Sequence, residues 1–542
     1  MSEIDLKFIA GFFAKALCAC VFMYPLMMLL FNTTTLAVRF DEWPAQVLLL
    51  FSSAIFLAIL ALPWLSTPQY PSITQISFWI AALVVSCPFA LLKIVMGDNH
   101  IEPLLGFLAG DNFREVLTVG RGSYSQLILK SVALFAGFGL MLVFLTRQFK
   151  DMGRLVNVIC VVLLLLNPIT QYAVEIVIPN ELHENFNLEK NYTPLVITAK
   201  PGRPKNLVML YLESLENTFE KLPTTKAAFK PLKELRDTAL YADDIHEIEG
   251  TRYTIAGIVA TQCGVPLIHF GLNHVAFNHG TEYSLESFMP KVVCLGDTLA
   301  NDGYTVSYMN GALLERYSKR GFLLNHGYAR LFGLKSVDPT TIDGRENVFG
   351  LNDGLLFEHV ADELDHLTAA GKPFFLSILT VGTHGPDGFL DRDCPRNENE
   401  VSQLAAAIRC TGTTVKRFIA ALETRGLSES TLVVVLSDHL AANHRILFDQ
   451  NFVQSMAADR EDRRNLFFIR GLPPRKVSKT GSMIDVYPTI LEALGYSIHG
   501  RRANFGVSLL SEQKTLVESY GVENANKLFL HNHKLARFLW SK

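Results

Sequence analysis

Thr431-Leu-Val-Val-Val-Leu-Ser-Asp-His439 is a β-branched apolar run that stops at adjacent acidic and imidazole side chains. It reads as a buried strand that delivers two metal ligands to the edge of a sheet. A second strand, Asn206-Leu-Val-Met-Leu-Tyr-Leu-Glu-Ser214, ends the same way on Glu213. Between them in the chain, Gly250-Thr-Arg-Tyr-Thr254 places a hydroxyl on a turn. Glu, Thr, Asp and His together are the parts of a metal-activated nucleophile.

Working outward, strand and helix patterns alternate: strand 206–212, helix about 226–239, a helix starting near Thr254, helix 296–302, strand 304–309, helix 353–370, strand 374–380, helix 400–425 and strand 431–436. Strands separated by helices predict a mostly parallel sheet covered on both faces. Ligands of such a sheet lie at the carboxyl ends of its strands, where Glu213, His384 and Asp438 fall. Residues 482–495 read as a further helix stopped by a glycine, with Asp485 in its first turn. The last thirty or so residues mix charges and aromatics without a usable motif. There is no internal repeat.

The first third of the chain differs in kind. At 542 residues and 49% hydrophobic, the chain is too long for one domain and too apolar for an ordinary soluble protein. Apolar runs at 8–31, 43–65, 75–96, 126–146 and 154–173 are each long enough to cross a bilayer of roughly 30 Å. Five spans are expected, and the first is too long and too weakly basic at its start for a cleaved signal peptide. Arg147, Lys150 and Arg154 place the loop between the fourth and fifth spans in the cytoplasm, so everything after about 175 falls outside it. The expected divisions are a transmembrane domain over 1–178, a linker or interfacial helix over 179–204, a catalytic domain over 205–515 and a C-terminal tail over 516–542.

Four of the eight cysteines, Cys18, Cys20, Cys87 and Cys160, lie in or beside the apolar runs. Cys263, Cys294, Cys394 and Cys410 remain for the soluble part, enough for two disulfides in an oxidising compartment. Three pairings are possible, and the sequence-local one, Cys263 with Cys294 and Cys394 with Cys410, is favoured. A formal net charge of −3 without a basic run argues against nucleic acid as a partner.

Phosphoryl transfer through a covalent intermediate needs a nucleophilic oxygen, a cation that lowers its pKa, and positive charge facing the phosphoryl oxygens. Carboxylates with an imidazole form a mixed hard and borderline set suited to Mn²⁺ or Zn²⁺. Glu213, Asp438 and His439 would hold the ion, with Thr251 as fourth ligand and attacking group. Singly each has an ordinary structural reading: an Asp-His turn, a surface Glu, a Thr that caps the helix near Thr254. Their combination gives the set its weight.

Six segments carry a family resemblance: Asn206 to Glu216, Gly250-Thr-Arg-Tyr-Thr-Ile-Ala-Gly-Ile-Val-Ala-Thr-Gln-Cys-Gly-Val-Pro266, Val293-Cys-Leu-Gly-Asp297, Leu379-Thr-Val-Gly-Thr-His-Gly-Pro-Asp-Gly-Phe389, Ser437-Asp-His-Leu-Ala-Ala-Asn443 and Arg464-Asn-Leu-Phe-Phe468. In these the chain resembles the phosphoglycerol and phosphoethanolamine transferases of the alkaline-phosphatase superfamily, which also contains sulfatases and lipoteichoic acid synthases. It is most similar to the phosphoglycerol transferases that act on osmoregulated periplasmic glucans. The resemblance implies a five-helix transmembrane domain followed by an α/β sulfatase-like domain with a mostly parallel central sheet. It places the metal ligands on Glu213, Asp438 and His439, the nucleophile on Thr251, and a substrate-contacting histidine on His384.

Arg316, Tyr317 and Lys319 fall where relatives contact the head group, and His444 and Arg445 follow the Asp-His turn. The implied activity moves phosphoglycerol from phosphatidylglycerol to a periplasmic glycan and releases diacylglycerol. The implied location is the bacterial inner membrane, multi-pass, with the catalytic domain in the periplasm. Phosphoethanolamine transfer to lipid A or another glycan is the alternative, and a membrane-tethered regulator without catalysis is a more distant one. Leu440 stands where lipid A enzymes usually carry Gly. Thr251-Arg-Tyr-Thr-Ile lacks the Cys/Ser-x-Pro-x-Arg pattern that sulfatases convert to formylglycine, so sulfatase chemistry is not expected.

Overall fold

A computed structural model describes residues 191–541 apart from 269–287, 316–317, 386, 398–399, 401, 442–461 and 531, together with 77, 78 and 80–82. The chain divides into two units, Met1–Ile178 and Pro179–Lys542, and the description below concerns the second. The five apolar runs lie outside the described residues, save 77, 78 and 80–82 of the third, which are helical. Among the described residues, no helix is long and apolar enough to cross a membrane.

Eight strands make the central sheet: β1 (Asn206–Leu212), β2 (Leu240–Ala242), β3 (Thr305–Asn310), β4 (Arg330–Phe332), β5 (Phe374–Leu379), β6 (Thr431–Ser437), β7 (Phe467–Arg470) and β8 (Arg475–Val477). Their order across the sheet is β8-β2-β7-β6-β1-β5-β3-β4. All pairings are parallel except those of β7, which runs against both β6 and β2. The sheet is therefore mixed by a single reversed strand and otherwise parallel, in keeping with the mostly parallel arrangement expected.

β1 and β6 read as continuous apolar runs because both faces are covered. Leu207, Met209 and Tyr211 join one core cluster with Leu432, Val434 and Leu436, while Val208, Leu210 and Leu212 join the other with Val433 and Val435. Helices α1 (Lys226–Asp237), α5 (Asp353–Ala369) and α6 (Gln403–Thr424) close the second face. Helices α2 (Thr254–Cys263), α3 (Leu295–Asn301), α4 (Lys319–Asn325) and α7 (Val486–Ala493) close the first. Both favoured disulfides, Cys263–Cys294 and Cys394–Cys410, are formed.

Two stretches differ from their expected character. Ile197–Ala199, in the stretch read as a linker, pairs antiparallel with Ser497–Ile498. Residues 516–540, read as a tail, form three helices, α8 (Leu516–Tyr520), α9 (Val522–Phe529) and α10 (His533–Trp540). Ala525, Leu528 and Phe529 of α9 belong to the first core cluster. Their apolar positions recur at helical spacing, a signal weakened by the charges between them.

Candidate metal and nucleophile site

Register places the site. Leu212 of β1 faces Ser437 of β6, so Glu213 and Asp438 emerge level at one sheet edge, and Thr380, which follows the Leu379 that faces Tyr211, lies beside them and accepts the Glu213 N–H at 3.2 Å. Donor atoms of Glu213, Asp438 and His439 lie within 4.8 Å of one another, and all three residues are buried. His439 Nε2 is 3.2 Å from Glu213 Oε1 and 3.4 Å from Asp438 Oδ2. The His439 Nδ1–H donates to the Leu440 carbonyl at 2.8 Å, which fixes the tautomer and leaves the Nε2 lone pair facing the carboxylates.

The backbone holds the carboxylates as firmly. Ser214 and His439 both donate their N–H to Asp438 Oδ1 at 2.8 Å. Ser214 does so from a left-handed backbone, φ 53°, rare for a residue with a Cβ and of the kind that persists at functional sites. Asp438 Oδ2 makes no hydrogen bond although it is wholly buried. An orphaned carboxylate oxygen beside a second carboxylate and an imidazole lone pair is a donor set that fits a divalent cation.

Electrostatics agree. Burial and then the charge of Glu213 push the Asp438 carboxyl well above its ordinary range. Burial alone would push Glu213 up too, but His384 and His439 outweigh it and hold it below the usual carboxylate range. Burial would lower His439, yet Asp438, Glu213 and Glu247 raise it to about 10. Left to themselves, two carboxyls and an imidazole must share protons, and a bound cation relieves that crowding.

Two hydroxyls reach this cluster and Thr251 supplies neither: the buried Ser214 Oγ donates to Glu213 Oε1 at 3.0 Å, and the second comes from the start of α2. Thr251 Oγ1 is fully buried, donates to the Ile248 carbonyl at 2.8 Å and accepts the Ile248 N–H at 3.1 Å, a turn-closing role. Thr254, three residues on, is partly exposed and donates through Oγ1 to Glu213 Oε2 at 3.3 Å. It opens α2, whose N-cap Tyr253 has no side-chain cap bond. The first-turn N–H groups of such a helix are suited to an anion. Thr254 thus stands at the start of a helix, a position legible in the sequence.

His384 follows Thr383, whose hydroxyl donates to the Glu213 carbonyl at 2.5 Å and so ties the His384 loop to the cluster. Its Nδ1–H donates to the Gly385 carbonyl at 2.9 Å and its ring lies 3.9 Å from that of Phe349, which leaves Nε2 to serve a substrate. Glu247, which carries no motif, is also present: its Oε1 accepts the Leu440 N–H at 2.8 Å and so holds the Asp438-His439 turn. Arg463 braces the same turn, binding the Glu216 carboxylate at 2.9–3.2 Å and the Ala441 carbonyl at 2.6 Å. Lys319 is buried at the start of α4. Arg316, Tyr317, His444 and Arg445 lie outside the described residues.

A second grouping, Cys294, Asp297 and His326, is as closely set. It is not a cation site, because the Cys294 sulfur is bonded to Cys263 and Asp297 binds His326 at 2.8 Å.

The family model described as Sulfatase matches residues 205–496, more than half of the chain. Curated relatives named phosphoglycerol transferase I from Salmonella arizonae and from Escherichia coli are each 33% identical over 303 residues. Those matches cover 54% of this chain and 38% of each relative, so the chain matches well under half of their length. Among solved structures, the lipoteichoic acid synthase LtaP from Listeria monocytogenes is 15% identical, covering 63% of this chain and 96% of that one, with TM-score 0.49. An alkaline phosphatase superfamily protein from Vibrio parahaemolyticus is 19% identical over 61% of this chain and 75% of that one, with TM-score 0.45.

Proposed function

The chain belongs to the sulfatase family, and from that premise we propose that it is a metal-dependent phosphoglycerol transferase with Thr254 as its nucleophile. The observation that carries the reading is the Thr254 hydroxyl on Glu213, within a cluster whose other members, Asp438 and His439, complete a divalent-cation donor set. The 33% identity to proteins named phosphoglycerol transferase I supports the choice of donor group. Thr254 offers neither the Cys nor the Ser that formylglycine formation needs, so sulfate ester hydrolysis is not proposed.

In the first half-reaction the Thr254 oxygen, deprotonated before the lipid reacts and leaving again as the alkoxide at the end of the cycle, bonds to the phosphorus of phosphatidylglycerol, and the P–O bond to diacylglycerol breaks. His384 Nε2 supplies the proton that the departing alkoxide needs. In the second, a hydroxyl of a periplasmic glycan gives its proton to His384, bonds to the phosphorus and displaces Thr254. Glu213, Asp438 and His439 would hold Mn²⁺ or Zn²⁺, which supplies Lewis-acid activation of the hydroxyl and neutralises phosphoryl charge. The α2 N-terminus presents backbone N–H groups to the same oxygens. Residues 1–178, read as membrane spans, would hold the enzyme in the inner membrane beside its lipid donor, with residues 205–515 in the periplasm.

The test is release of diacylglycerol from headgroup-labelled phosphatidylglycerol by the purified full chain. Release that requires Mn²⁺ or Zn²⁺ and is lost in Thr254→Ala is the expected result. Turnover of phosphatidylethanolamine instead would transfer the assignment to phosphoethanolamine. Turnover of neither lipid by metal-loaded protein would overturn the enzymatic reading.

A further inference from the structure

The loop that carries His384 also walls a cavity of about 350 Å³, within the roughly 300–1,000 Å³ usual for small-molecule sites. Asp353, at the start of α5, accepts the N–H groups of Val381 and Gly382 at 2.8 and 3.1 Å, and both Asp353 and Gly382 line the cavity. The next residue, Thr383, donates to the Glu213 carbonyl at 2.5 Å. One stretch of backbone therefore serves both the candidate metal cluster and this cavity.

Two lining groups are orphaned. Thr411 Oγ1 on α6 and Arg345 Nε make no hydrogen bond, although Thr411 is 2% and Arg345 7% exposed. A buried polar group without a partner is destabilising, because folding has stripped it of water and returned no hydrogen bond. Two such groups in one cavity are accounted for by a ligand that brings the missing partners.

The lining selects the ligand's chemistry. Three arginines and four carboxylates line it, and two of the arginines are ion-paired: Arg345 lies 2.7 Å from Glu358 and 3.6 Å from Asp393, while Arg425 lies 2.7 Å from Asp365 just outside. The lining holds both signs with one more carboxylate than arginine, and Asp353 and Asp391 already accept backbone N–H groups, so an ion gains little on entry. A neutral ligand that both donates and accepts gains more, and Phe357, Phe389 and Phe418 offer it apolar surface. The Cys394–Cys410 disulfide lines the same cavity and ties the loop after Phe389 to α6, so the walls are fixed before a ligand arrives.

We propose that this cavity docks one neutral sugar residue of the acceptor glycan, through Thr411, Arg345 and Asp353. The identity of the sugar as an acceptor rests on the transferase reading above; its binding does not. Binding of a glucose tetrasaccharide to the purified full chain is measured by titration calorimetry, with glycerol phosphate as an anionic control, in wild type, Thr411→Val and Thr411→Leu. Thr411→Val removes the hydroxyl at nearly constant volume, and Thr411→Leu also fills the space.

Saturable binding of the sugar that weakens about tenfold in Thr411→Val and disappears in Thr411→Leu, at unchanged melting temperature, is expected. Equal affinity in Thr411→Val, or binding of glycerol phosphate at this cavity in place of the sugar, overturns the proposal. If Thr411→Leu does not fold, Thr411→Val decides. Repeating the titration in a Thr254→Ala background separates the two readings: sugar binding without lipid cleavage by wild type sinks the transferase and keeps the cavity, and lipid cleavage without sugar binding does the reverse.

Discussion

Thr254 and Thr251 carry the same functional group into opposite surroundings. One hydroxyl meets an ionised carboxylate at the surface of the site, and the other is closed into a backbone turn. Thr254→Ala is therefore expected to lower transfer by roughly a thousandfold or more, as removal of a nucleophile does, with little change in melting temperature. Thr251→Val should keep the chemistry and lose about 1–3 kcal/mol of stability, because the Ile248 N–H is left without its partner, while the Ile248 C=O keeps the Thr251 N–H at 3.1 Å. Paired activity and denaturation measurements check both, and loss of all turnover in folded Thr251→Val would reverse the assignment. Glu213, Asp438 and His439 are legible in the sequence because they end apolar strands, where the pattern of a covered sheet stops. Thr251 draws the eye because it follows a glycine, but Gly250, at φ 79°, serves the turn itself. Glu247 leaves no sequence trace at all, since its part in the site depends on a contact 193 residues away in the chain.

Helix α2 reaches the strand ends by an unusually close approach. A Cβ placed on Gly257 would lie 1.7 Å from the Asp438 carbonyl oxygen and 2.7 Å from its carbon, both backbone atoms of β6's extension. Gly257→Ala must therefore push α2 and the Asp438-His439 turn apart. A stability loss of about 1–3 kcal/mol is expected from overpacking, together with weakened Mn²⁺ or Zn²⁺ binding by calorimetry. Unaltered metal affinity in a folded Gly257→Ala protein would show that the contact does not set the ligand geometry. The long elements are readable in the sequence, with β1 and β6 ending within one residue of their expected bounds. The strands that the pattern misses are short: Leu240–Ala242, Arg330–Phe332 and Arg475–Val477 have three residues each, too few to show a period. Phe467–Arg470 is visible as a motif and not as a strand, and its reversed direction is set by pairing on both sides that no local pattern encodes.

Across the whole molecule, buried carboxyls join distant segments. Asp485 ahead of α7 accepts the N–H groups of Ser482 and Val507 at 2.8 Å each, and burial, offset in part by those bonds, pushes its carboxyl up to about 6. A folded pKa above the unfolded value of 3.8 favours the protonated form, so this group's contribution is fullest in acid and is lost as pH rises through 6. Relative to Asp485→Asn, wild type should gain about 2 kcal/mol on moving from pH 7 to pH 4, because each tenfold change in proton affinity between folded and unfolded chains is worth ~1.4 kcal/mol. Denaturant titrations at the two pH values test the sign, and a constant difference would remove the argument.

The C-terminal helices extend this long-range bonding to the site. Asn526 of α9 accepts the Glu249 N–H at 2.8 Å, one residue before the Gly250 turn that leads to Thr254. A chain stopped at residue 515 is expected to lack turnover even where its sheet forms, measurable as lipid cleavage by the truncated protein. Translation makes this a matter of timing: Asn526 leaves the ribosome hundreds of residues after Glu213, so a half-made or prematurely terminated copy carries the Gly250 turn still untied.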